Sequence, residues 1–137
     1  MSVKESLESV LRVARAAVPM IVGILLLISL LNPVFQKYYP LVFSGNYFWD
    51  PLWGALAGSI AFGMPVTSYI VGGELLQRGV SLVAITAFIL AWATVGLAML
   101  PIEIKFFGTK FALLRNGLNF INSIIIAVLT VAILKIL

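Results

Sequence analysis

From Val80 to Leu100 the chain runs for 21 residues without one charged side chain. A helix of about 20 apolar residues is long enough to cross the hydrocarbon core of a bilayer. A second run, Val13 to Leu31, is interrupted only by Arg15, which lies near enough to its end to snorkel to the headgroups. A third uncharged stretch extends from Pro51 to Gly73. Composition agrees, with 62% hydrophobic and 10% charged residues. A water-soluble domain is roughly half apolar and a quarter charged, and a chain of 137 residues could not hide so much apolar surface. The expected fold class is therefore an all-α integral membrane protein with three to four transmembrane helices. It forms one domain over residues 1–137, multi-pass in the cytoplasmic membrane.

The third stretch has a different character. Its centre reads Gly63-Met64-Pro65. Proline lacks an amide hydrogen and disfavours helix at the residue before it. The segment over about 51–77 thus divides into two half-helices, each about 20 Å long at 1.5 Å per residue. Either it crosses the bilayer as a kinked span or it dips in and returns. Gln77-Arg78-Gly79 is a polar turn, and a helix follows over about 80–100, closed by Pro101. Residues 102–115 are charged and amphipathic and read as a surface segment. The last helix covers about 117–135.

Charge counting separates the two topologies. With four spans, five basic residues (Lys4, Arg12, Arg15, Arg78, Lys135) face four (Lys37, Lys105, Lys110, Arg115). With three spans and a re-entrant hairpin, Lys4, Arg12, Arg15, Lys105, Lys110 and Arg115 share one side, leaving Lys37, Arg78 and Lys135 on the other. The second division obeys the positive-inside rule better. The leader carries Glu5 and Glu8, and no small-x-small cleavage site follows Leu31, so the first run reads as a retained helix. The aromatic cluster from Tyr38 to Trp53 reads as an interfacial belt.

Cysteine and histidine are absent. That excludes disulfides, Cys- or His-based metal sites and Cys or His catalysis. The five acidic residues form no catalytic spacing. No enzyme activity, cofactor or metal is expected, and the scattered basic residues form no nucleic-acid footprint.

The candidate substrate pathway lies at the break. Pro65 makes it, and the hydroxyls of Thr67 and Ser68 either cap the second half-helix or face a solute. Glu74 stands four residues before Arg78 and either pairs with it or couples a proton or cation to transport. Asn119 and Asn122 belong to a polar stripe with Asn116 and Ser123, bonding between helices or lining a path. Gly54 and Gly58, with Ser59 and Gly63 on the neighbouring stripe, let another helix approach closely, within the chain or from a partner.

The run from Gly58 to Pro101 resembles the repeated core of the predicted permease family that includes the organoarsenical-efflux-type permeases. The features shared are Gly58, Gly63 and Pro65, then Leu75, Gly79, Val80, Ser81 and Leu82, then Ala84, Ala87, Phe88 and Pro101. Arsenical-type members carry cysteines around the break, whereas this chain has none. Members also contain two related halves, and this chain has about the length of one. The resemblance implies a half-size permease subunit moving a small solute or ion, paired with a second copy in a homodimer or with a sister half-permease chain. The alternative is a non-transporting accessory or scaffold subunit of a membrane complex.

Overall fold

The computed structural model describes residues 6–12, 14, 15, 18, 19, 22, 23, 26, 29, 30, 43, 45–61 and 64–137. Where a single domain is expected from length, contacts divide the chain into two compact units, Met1–Phe35 and Gln36–Leu137. In the first, every described residue between 6 and 30 is helical. Gly63 of the small-residue stripe, Lys4 and Lys37 lie outside the described residues.

The second unit holds five α-helices: α1 (Trp49–Ile60), α2 (Pro65–Gln77), α3 (Leu82–Thr94), α4 (Leu100–Phe107) and α5 (Thr109–Leu134), with a 3₁₀ turn at Leu97–Met99. No strand occurs among the described residues. Among the described residues, two stretches are long and apolar enough to cross a membrane, Leu82–Phe107 and Thr109–Leu134, each with mean hydropathy 2.2. Only 17% of the most apolar window in α5 is buried within the protein, so most of that helix needs an apolar environment from elsewhere.

Sequence-local chemistry sets the ends of these helices. Ala61 and Met64 are extended, with ψ near 140° and 136°. The conformation of Met64 is the one proline imposes on its predecessor. Pro65 then occupies the first position of α2, where its missing amide hydrogen costs nothing. Gly79 closes α2 at φ +88°. The Gly79 amide donates to the Leu76 carbonyl and the Val80 amide to that of Leu75, both at 3.1 Å, the paired bonds of a glycine-terminated helix. Gly108, at φ +85°, makes the corner between α4 and α5.

Two backbone contacts fix the direction of α1. A Cβ added to Gly54 would lie 2.0 Å from the Ala84 carbonyl oxygen, and one on Gly58 would lie 2.2 Å from that of Phe88. Steps of four along both helices match, so α1 and α3 run the same way. The α2 helix folds back along α3, setting Gly72 against Ile85 and Ile89. Consequently α1 and α2 form an antiparallel hairpin that turns between Ala61 and Met64. The two glycines of the stripe are thereby used within the chain, on α3, and are not free to seat a partner. An alanine-rich core of Ala55, Ala87, Ala91 and Ala127 joins α1, α3 and α5, with Phe120, Ile124 and Val128 packed around it.

Two boundaries differ from the sequence expectation. The uncharged run expected to be one helix breaks at Val95 and Gly96, and Pro101 starts α4 rather than closing a span. The segment 102–115 is not one surface helix followed by another from 117. It is α4 and the first turns of α5, with the only irregularity at Gly108. Gly117, where the last helix is expected to start, is mid-helix, and the Asn116 side-chain Nδ2 beside it donates to the Ala112 carbonyl at 2.9 Å.

Candidate functional site

The hairpin tip meets the α3 break. At their junction is a cavity of about 230 Å³, with Ala61 and Pro65 from the hairpin, Trp92 and Gly96 from the break, and Glu103 and Arg115 from α4 and α5 in its wall.

Breaking α3 removes the helical partners of several backbone groups, and α5 supplies replacements. Asn119 donates to the Thr94 carbonyl at 3.0 Å. Asn116 accepts from the Gly96 amide at 2.9 Å. Its Nδ2 also donates to Glu103 Oε2 at 2.8 Å. Arg115 donates to Glu103 Oε1, completing an ion pair. The Glu103 side chain is 16% exposed and that of Arg115 is 40% exposed. Thus the carboxylate is the fixed, inner member of the pair and the guanidinium the outer one. One buried asparagine links the backbone break to the two charged groups among the described residues of the cavity wall.

No protein-family model, curated protein or solved structure matches this chain.

Of the residues singled out from sequence, Pro65 lines the cavity and Asn119 holds the end of α3 beside it. Thr67 and Ser68 are buried one turn into α2. Neither hydroxyl caps that helix: the Ser68 hydroxyl donates back to the Pro65 carbonyl at 2.6 Å, and no side chain bonds the cap position. Ser59 likewise donates to the Ala55 carbonyl, at 2.7 Å. Glu74 is nine residues beyond Pro65, about 14 Å along the helix. It pairs with Arg78 at 3.4 Å, at the open end of the hairpin and away from the cavity. Asn122 is exposed and takes no part in the cluster. Trp92 packs edge-on against Phe88, with ring centres 5.3 Å apart.

Sequence reading passed over Glu103 and Arg115 because both sit in a charged, amphipathic stretch. The available signal was their opposite sign on either side of Gly108, where a tight corner brings two helices side by side. It also passed over Asp50. That residue is fully buried in the first turn of α1. Its carboxylate accepts from the Gly45 amide at 3.1 Å and from the hydroxyl of Ser81, the residue preceding α3. Two parallel helices therefore begin at one carboxylate, whose charge suits their positive ends. The effect is to clamp the open end of the hairpin to the start of α3.

Proposed function

We propose that this protein is a membrane permease subunit whose solute path runs through the cavity at the hairpin tip. The supporting observation is the junction itself: a hairpin tip and a helix break meet around a carboxylate–guanidinium pair. Irregular backbone and ionised groups are tolerated at membrane depth only where protein or a water-filled cavity covers them. Transporters place binding sites at such discontinuous helices.

Lengths support membrane depth. Each arm of the hairpin is about 20 Å, short of the roughly 30 Å of hydrocarbon, whereas α5 at about 39 Å exceeds it. In this reading the hairpin enters and returns on one side, while Leu82–Phe107 and Thr109–Leu134 cross. Exposed Tyr47, Trp49 and Trp53, with Lys135 held 4.8 Å from the Tyr47 ring centre, mark one interface. Lys105 and Lys110, flanking Gly108, mark the other. The cavity then lies about 12 Å from the Gly108 corner, inside the hydrocarbon. A second copy or a sister chain beside the cavity makes the path continuous, the arrangement the permease resemblance implies.

The absence of cysteine allows a direct test. Proteoliposomes containing only this protein are screened by stopped-flow light scattering against amino acids, monocarboxylates and alkylamines. Ala98→Cys places a thiol in the cavity wall, and Ile121→Cys places one on the exposed face of α5. A methanethiosulfonate reagent should block solute entry in the first variant and leave it in the second. Entry of no solute would favour the accessory-subunit reading, and unaltered entry after modification at position 98 would remove this cavity as the path.

A further inference from the structure

The ion pair on the cavity wall is asymmetric, and the asymmetry selects the sign of what binds there. We propose that a monovalent metal cation occupies Glu103 Oε1 in exchange for the Arg115 guanidinium, so that cation binding withdraws Arg115 and opens the cavity. This inference rests on the permease reading and names the ion that would drive it.

Glu103 is held in place independently of Arg115, through the 2.8 Å bond from Asn116. Asn116 is itself buried and anchored to Gly96 and Ala112. Arg115 has no second anchor among the hydrogen bonds of the described residues. It lies about 10 Å along α5 from the Gly108 corner, within snorkelling reach of the headgroups. Removal of the guanidinium leaves a partly buried carboxylate, its side chain 16% exposed, without its counter-charge.

The backbone around the cavity favours that sign. Both α1 and α3 end here and carry the negative ends of their helix dipoles to this point, with the Ala57, Ala91 and Thr94 carbonyls already taken by the Ala61 and Val95 amides and by Asn119. The α2 helix begins here and would bring the opposite charge, but its first residue is Pro65, which has no amide hydrogen. The Thr67 amide is turned to the Met64 carbonyl at 2.9 Å. One carboxylate with neutral carbonyl oxygens suits a single positive charge. Divalent cations bound by protein oxygens draw on several carboxylates, and the described residues contain no group of three acidic side chains. A cation replacing a guanidinium also leaves the charge of the site unchanged, so the exchange adds no buried charge.

The test is equilibrium binding of ²²Na⁺ and of ⁸⁶Rb⁺ to the full chain in nanodiscs, with no solute present. The wild type should bind one of these ions saturably and Glu103→Gln should not. Arg115→Gln removes the internal competitor and should bind about tenfold more tightly, given the several-fold larger energies of charge pairs near protein than in water. A misfolded variant would not gain affinity, so this arm separates exchange from structural damage. Lack of saturable binding in the wild type, or Arg115→Gln binding no more tightly than wild type, overturns the proposal. Because binding is read without transport, a saturable cation site in a protein that passes no solute would uphold the site while removing the permease reading. Solute flux in a protein that binds neither ion saturably would do the reverse.

Discussion

Gly58→Ala tests the hairpin packing most sharply. The new Cβ would stand 2.2 Å from the Phe88 carbonyl oxygen. Ordinary contact begins near 3.4 Å, so α1 must retreat from α3 by about 1 Å or tilt. The obstacle is backbone in the middle of a helix and cannot rotate aside as a side-chain end would. Overpacking of this kind costs about 1–3 kcal/mol, and loss of the close Cα–H···O approach adds about 0.5 kcal/mol. An expected destabilisation of about 2 kcal/mol corresponds to roughly 30-fold in the folding equilibrium. Gly73→Ala is the matched control. It lies mid-helix in α2 with no atom within 4 Å of its added Cβ, and should be neutral or stabilising by up to about 1 kcal/mol, since alanine is the better helix former. Reversible unfolding in mixed micelles, followed by far-ultraviolet circular dichroism, measures both. Equal stability of the two variants would refute the close parallel packing of α1 on α3, and with it the hairpin.

Asn116→Ala should cost about 2–4 kcal/mol by the same assay, because it strips a partner from the Gly96 amide and from Glu103 at once. Asn122→Ala, on the exposed face, should change stability by less than about 0.5 kcal/mol. Single cysteines at Asn46, Gln77 and Lys110 should divide by side in sealed vesicles, with positions 46 and 77 labelled together and 110 from the opposite side. Labelling of 46 and 77 from opposite sides would mean that the segment crosses.

Much of the site depends on pairs that no local pattern announces. Gly54 and Gly58 are legible as a close-packing stripe, because four-residue spacing puts both on one helix face. Their target is not legible: the spacing is equally compatible with α3 and with a second subunit. Glu74 and Arg78 are legible as a pair because both are on one helix, four residues apart. Glu103 and Arg115 are separated by a corner at Gly108, and only the angle of that corner decides that they meet.

The sequence by itself determined the helical, apolar character of the chain, the break before Pro65 and the turn at Gly79. Each follows from local causes: uncharged runs, proline geometry and a glycine after a polar pair. The tertiary structure decided that the broken segment doubles back, and that a second break opens at Gly96 inside an unbroken apolar run. Nothing in Val95-Gly96 alone forces that break, since glycine is tolerated in membrane helices. It persists because Asn116 and Asn119, 20 and 25 residues away along the chain, supply the hydrogen bonds that a continuous helix would otherwise make for itself.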